Sequence, residues 1–209
     1  MKKILSILIT SLFFTISANA GGMIGVKVGT GTVDGTKTID PSHGVATNKT
    51  GSKDSEYAAI FLEANVGDLV SLGIELVPME GIVDSSAAAR SDTQVTVSDL
   101  VTVYALVPFG DTPIYGKIGY GQADLSVVAN YVTTTVGSHS DTLEGPMIGI
   151  GAQFDSPIPF LDVVRIEGTY YEFDELEITT TNTNGTADTH TKKGEAELMT
   201  LSLSLAKSF

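Results

Sequence analysis

The residues best suited to chemistry are few and scattered. His43, His139 and His190 each have an acid close by, in Asp40, Asp141 and Asp188. Imidazole and carboxylate are transition-metal ligands, so three such segments brought together would make a metal site. No two of the histidines stand at i, i+4, the spacing that would put them on one helix face. His139-Ser140-Asp141 holds the residue types of a hydrolytic triad. A nucleophile, however, needs a base and an orienting group within hydrogen-bond reach, and sequence neighbours point their side chains in different directions. Asp188 and His190 would need a further acid that nothing in the sequence identifies. There is no cysteine, which excludes a disulfide framework, a cysteine-zinc site and a thiol nucleophile. The expectation is a protein that is not an enzyme and carries neither cofactor nor resident metal.

A second set of charges is more orderly. Lys27, Lys117 and Arg165 stand against Glu63, Glu75 and Glu167, three of each sign, each among alternating apolar residues. What they do depends on the elements that carry them.

Those elements are strands. From Gly21 onward the apolar residues recur with period two rather than 3.6. Ile24, Val26 and Val28 form one such row, Ala58, Ile60 and Leu62 a second, and Val70, Leu72, Ile74 and Leu76 a third. Leu100, Tyr104 and Leu106 share a parity with Thr102, and the opposite parity starts at Asp99 before turning apolar. Further rows are Ile114, Ile118 and Tyr120; Ile148, Ile150, Ala152 and Phe154; and Val164, Ile166 and Tyr170. The last is Met199, Leu201, Leu203, Leu205 and Phe209. That predicts eight strands. The connections alternate in length. Asp34–Ser55, Pro78–Gln94, Gln122–Glu144 and Glu172–Glu197 read as long polar loops; Asn65–Asp68, Phe109–Pro113 and Asp155–Phe160 read as tight turns. The prolines fall in connections or at strand ends, as expected of a residue that cannot donate to a ladder.

The first twenty residues read differently. Lys2 and Lys3 precede the apolar stretch Ile4–Ile16, and Ala18-Asn19-Ala20 is a small-residue cleavage site. Residues 1–20 are therefore expected to be a cleaved signal peptide and residues 21–209 the mature domain. The 209-residue chain has a formal charge of −13; without Lys2 and Lys3 it keeps ten basic and 25 acidic residues, formal charge −15. Such an acidic chain is a poor partner for nucleic acid.

In a soluble barrel the apolar parity points inward. Here the other parity is largely Gly, Ser, Thr and Tyr with sparse charges, which suits the narrow interior of an eight-stranded barrel. The Ile/Val/Leu parity suits hydrocarbon. An even number of strands with short turns at one end and long loops at the other is the pattern of a transmembrane β-barrel, and only closure satisfies every backbone group in lipid. The fold class predicted is all-β, an eight-stranded antiparallel up-and-down transmembrane β-barrel. On that parity the six charges lie in the lumen, as a charge-lined pore or breakable gate, or as a salt-bridged plug. Eight strands leave an interior just wide enough for side chains, which favours the plug.

Two segments carry a family resemblance. Leu201-Ser202-Leu203-Ser204-Leu205-Ala206-Lys207-Ser208-Phe209 ends on an aromatic in phase with the apolar parity and resembles the terminal assembly signal of bacterial outer-membrane proteins, with Leu201, Leu203, Leu205 and Phe209 as its carriers. It departs from that pattern at Lys207, whose stem can snorkel at a membrane rim. Val103–Phe109 and Pro113–Gly121 resemble the central hairpin of the porin-like, opacity-protein and OmpA-type small outer-membrane barrels. The resemblance covers the whole mature chain in architecture but only these segments in motif. It implies residence in a bacterial outer membrane with periplasmic termini and extracellular long loops. The implied partners are outer-membrane lipid, lipopolysaccharide and the barrel-assembly machinery. The family includes adhesins, structural anchors and small pores, so a structural or surface-interaction role is expected, with a small passive channel as the alternative and a membrane-embedded hydrolase behind both. The long loops hold most of the acids against Lys37, Lys49, Lys53, Arg90, Lys192 and Lys193, a distribution that attracts cations and admits divalent cations as loop partners.

Overall fold

The computed structural model describes residues 21–39, 47–67, 69–85, 91–131, 134–182 and 188–209. The expected leader, residues 1–20, and His43 lie outside the described residues. Eight strands follow in chain order: β1 (Gly22–Ile39), β2 (Thr47–Val66), β3 (Val70–Ser85), β4 (Ser91–Pro108), β5 (Ile114–Tyr131), β6 (Thr134–Asp155), β7 (Val163–Asn182) and β8 (Asp188–Ser208). Each pairs antiparallel with the next and β8 returns to β1, so the sheet is a closed up-and-down barrel. Gly22 and Phe209 exchange both backbone hydrogen bonds at 2.9 Å, fastening the two ends of the sheet beside the short turns. Two of those turns rest on glycine in the left-handed region, Gly67 (φ 66°) and Gly110 (φ 60°), which costs a glycine no steric strain.

The period-two pattern sorts the side chains as a barrel requires. Ile24, Val26, Val28, Ile60, Ile118, Ile148, Ile150, Ile166, Leu201 and Leu203 point outward and are 46–61% exposed. A continuous belt of this kind is unfavourable in water and matches hydrocarbon. Over β3–β6 the belt dips into an apolar groove of about 580 Å³ whose floor includes Ala105 between Leu72 and Ile118.

β4 reverses the sense read from its sequence. Thr102, Tyr104 and Leu106 are buried inside, while Val101, Val103, Ala105 and Val107 face out. The reason is local. Both parities of this stretch are apolar, Leu100, Tyr104 and Leu106 on one and Val101, Val103, Ala105 and Val107 on the other, so period two does not choose between them; the register shift between Ser98 and Val101, with Asp99 at φ 53°, lies above this stretch. The outward row is Val101, Val103, Ala105 and Val107, β-branched except at Ala105.

The strands also run far beyond the apolar belt, to 16–22 residues each. Most of the segments read as long loops are paired hairpins: β1–β2 register extends to Ile39 opposite Thr47, β5–β6 to Tyr131 opposite Thr134, and β7–β8 to Asn182 opposite Asp188. His139 and His190, expected in loops, stand in β6 and β8, opposite Val127 and Thr180. Backbone pairing persists there without a period-two apolar row in the sequence to announce it.

Closure is complete only through part of the barrel's height. β2 and β3 pair from Val66–Val70 to Ile60–Leu76, and β6 and β7 from Asp155–Val163 to Met147–Tyr171. Among the described residues no register pair joins either couple beyond those points. Above them the wall is two four-stranded sheets, β7-β8-β1-β2 and β3-β4-β5-β6. Pro78 and Pro146, read as lying in connections or at strand ends, instead lie inside β3 and β6, each just past the last pair across its seam. A proline is tolerated where its missing N–H would face an edge, and the seams supply that edge.

Candidate functional site: a charge network that closes the lumen

All six charges singled out in the sequence project into the barrel, each 2–3% exposed. Four of them come from alternate strands: Lys27 from β1, Glu75 from β3, Lys117 from β5 and Glu167 from β7. They form a ring of alternating sign. Lys27 Nζ donates to Glu75 Oε2 at 2.5 Å and to Glu167 Oε1 at 3.3 Å; Lys117 Nζ donates to the same two oxygens at 3.0 and 2.9 Å. Every neighbouring pair around the ring is an ion pair. Inward residues of a barrel stack in layers drawn from alternate strands, and one such layer is here made wholly of charge.

The remaining two charges pair nearer the short turns. Arg165 grips Glu63 with both terminal nitrogens, Nη1 to Oε1 at 2.6 Å and Nη2 to Oε2 at 2.7 Å, and its Nε donates 2.8 Å to Gln153. The bidentate fork uses the planar guanidinium as a lysine could not. The Tyr104 hydroxyl also donates to Glu63, at 2.8 Å. The Lys117 ammonium lies 3.9 Å from the Tyr104 ring centroid, a cation–π contact.

Side chains fill the lumen on both sides. Towards the short turns are Phe61, Val163 and Ala206. Towards the long hairpins the Thr102 and Tyr171 hydroxyls meet at 3.1 Å, those of Thr169 and Thr200 at 2.5 Å, and Tyr171 stacks on Phe173 at 5.8 Å beside Leu143 and Met147. Removing an ion from water costs several kcal/mol even after relaxation. A neutral, closed ring with its carboxylates doubly bonded is an arrangement that compensates this.

The sequence identified the charges but not their aromatic supports. Tyr104, Tyr115, Phe61 and Tyr57 each stand directly across the ladder from a glycine: Gly73, Gly151, Gly25 and Gly29. At Gly73 and Gly151 the ring lies over the bare backbone, where a Cβ would collide with it. Glycine in one strand facing an aromatic in the next is a known device of curved sheets, and it was visible once the register was known. The Tyr115 hydroxyl is buried and without a hydrogen-bond partner among the described residues.

The other sequence candidates are not brought together in this way. His139, Ser140 and Asp141 are consecutive positions on β6, opposite Val127, Ser126 and Leu125. Among the described residues no group of three or more His, Asp or Glu is placed to hold a metal ion. Of the terminal residues, Leu201 and Leu203 face outward on β8 with Leu205 half-buried in the same row, and the exposed Phe209 closes the sheet against Gly22. Lys207 stands at the short-turn rim, 2.9 Å from Asp162.

No protein-family model and no curated protein sequence matches the chain. Solved structures match its fold. The outer membrane protein OprG of Pseudomonas aeruginosa aligns over 91% of this chain and 98% of its own with a TM-score of 0.52 and 10% identity. The outer membrane protein AlkL, solved in lipid bilayers, covers 92% of this chain and 93% of its own with a TM-score of 0.51 and 13% identity. The outer membrane protease OmpT of Escherichia coli covers 92% and 99% with a TM-score of 0.50 and 8% identity. At such identities the likeness is one of fold, and it makes the chain an eight-stranded antiparallel barrel resembling small bacterial outer-membrane barrels.

Proposed function

We propose that the protein is an integral outer-membrane β-barrel with a structural or surface-interaction role, and that its lumen is a plug rather than a passage. The closed ring of Lys27, Glu75, Lys117 and Glu167 carries this reading: four buried charges, every neighbouring pair bonded, leave no unpaired group to attract a permeating ion. The apolar outer wall supports residence in lipid, and the terminus Leu201–Phe209 supports recognition by the barrel-assembly machinery. In this reading the leader is removed, the short turns and both mature ends are periplasmic, and the long acidic hairpins stand outside among lipopolysaccharide. The protein is not an enzyme and requires no cofactor; divalent cations screen the acidic hairpins.

Planar-bilayer recording of the refolded chain tests the plug. No steady conductance is expected from the native protein. A steady conductance that a substitution in the ring abolishes or alters would establish the small passive channel instead. Electrophoresis with and without boiling tests the barrel itself, since a closed barrel migrates differently from its unfolded chain. A single mobility, with a monomer that stays soluble without detergent, would overturn the membrane reading.

A further inference from the structure

We propose that the turn between β6 and β7 is a preformed apolar anchor, which seats Phe160 at the boundary between hydrocarbon and headgroups of the lipid leaflet on the short-turn side. Phe160 is 90% exposed, more than any other large apolar side chain among the described residues, and its backbone sits at φ 75°. A residue with a Cβ is uncommon in that left-handed region, and such a conformation persists only where its surroundings over-determine it. Here they do. The Ser156 N–H donates to the Asp162 carbonyl at 2.9 Å, the Leu161 N–H to the Ile158 carbonyl at 3.2 Å and the Ile158 N–H to Ser156 Oγ at 3.1 Å. The Asp162 N–H donates 2.9 Å to the Ala206 carbonyl, and the Asp162 carboxylate accepts from Lys207 Nζ and the Ser208 N–H, which ties the turn to β8. Pro157 and Pro159 fix two further φ angles.

The chemistry of the tip selects lipid. Pro157, Ile158, Pro159 and Phe160 are all exposed, and none carries a polar side-chain atom. The N–H groups of Ser156, Ile158, Leu161 and Asp162 are already bonded within the chain, and the prolines have none. A protein partner draws about one hydrogen bond from each 100–200 Å² it covers, and this tip has little to give. A medium without hydrogen-bonding groups demands a backbone satisfied from within. The apolar wall also runs down to the turn, through the outward-facing Ile166 and Phe154 of β7 and β6. At the same end of the barrel the rings of Phe109 and Phe209 lie over Gly116 and Gly22, which share the parity of the outward Ile118 and Ile24, so those rings rest on the lipid-facing wall. Aromatic residues gather at both boundaries of membrane barrels. What is particular to this chain is a strained, bonded turn that holds one ring clear of the wall. The proposal rests on the short turns lying at the membrane boundary, as in the reading above, and not on the plug.

The chain has no tryptophan, so Phe160→Trp introduces a single indole. The variant is refolded into phosphatidylcholine vesicles, shown to be heat-modifiable, and followed by fluorescence. Lipid brominated at the headgroup end of its acyl chains should remove more of the emission than lipid brominated at the chain ends, and aqueous iodide should remove little. Ile118→Trp, within the belt, should show the opposite order of the two lipids. For Phe160→Trp, quenching by iodide and not by brominated lipid would place the turn in water and overturn the proposal. Emission that neither quencher reaches would place the ring against protein and overturn it equally. Hydroxyl-radical footprinting of the native chain in the same vesicles keeps the test independent of how the variant folds. Phe160 should be protected there, and modification like that of a residue in water would overturn the proposal. Protection that is lost when the chain is diluted among vesicles would assign the ring to a second copy and overturn it as well. A chain that is not heat-modifiable would overturn the barrel reading instead.

Discussion

Lys117 and Tyr104 join the two charge clusters of the lumen: the ammonium lies 3.9 Å from the centre of the tyrosine ring, and the hydroxyl of that ring donates 2.8 Å to Glu63. Through this contact the ring of four and the Arg165–Glu63 pair share one support. Since Lys117 also bonds Glu75 and Glu167, it touches every acid of the lumen either directly or through Tyr104.

Lys117→Met should therefore be among the most damaging lumen substitutions. It leaves Glu75 and Glu167 with Lys27 alone, one positive charge between two buried carboxylates. The expected loss is about 3–5 kcal/mol, the usual cost of stripping a partner from a buried pair. Urea unfolding from lipid vesicles would measure it. An unchanged midpoint would mean that the ring contributes nothing to stability.

Gly151→Ala should destabilise the barrel by about 1–3 kcal/mol through overpacking. A Cβ built at Gly151 would lie 2.5 Å from the Tyr115 hydroxyl oxygen. The same substitution in a Tyr115→Ala background should cost much less, and a double-mutant cycle would read the difference as coupling. Additive effects would mean that the ring does not need the bare backbone beneath it.

Asp162 offers a pH-dependent contact outside the membrane-facing belt. The Lys207 ammonium, 2.9 Å from one oxygen, and the Ser208 N–H, 2.7 Å from the other, hold its carboxyl below the usual carboxylate value. A lowered folded value means that the contribution is fully present above the unfolded value and is lost as pH falls through the folded one. Following the Asp162 carboxyl by NMR, Lys207→Met should raise its midpoint towards that of an ordinary aspartate. A midpoint that does not move would assign the shift to Ser208 alone.

Removal of Phe209 should reduce the heat-modifiable fraction in outer membranes far more than removal of residues 182–186, at the connection from β7 to β8. Phe209 supplies two of the backbone bonds that close β8 on β1, and its ring covers Gly22. Exposed tips tolerate deletion. Equal barrel content in the two membrane fractions would remove both the closing and the assembly role of the terminal residue.

The sequence by itself determined what is local. Period two gave the eight strands and placed Lys27 opposite in parity to Val26 and Val28; Gly67 and Gly110 marked tight turns; and the six lumen charges followed from parity because a carboxylate or ammonium is costly on the hydrocarbon side. Only the tertiary structure decided what depends on register and closure. Lys27 meets Glu167 across 140 positions of chain and Lys117 meets Glu75 across 42, and no local pattern encodes which strands a lumen layer draws upon. Parity in β4 was misleading because both of its rows are apolar, Leu100, Tyr104 and Leu106 against Val101, Val103, Ala105 and Val107, and only closure shows which row is inside. The hairpins beyond the belt were read as loops because backbone pairing by itself leaves no hydrophobic signature in a sequence. The seams at Pro78 and Pro146 became visible only when β2 and β3, and β6 and β7, were seen to part: a proline reports a missing hydrogen bond, but the structure alone shows which neighbour lost it.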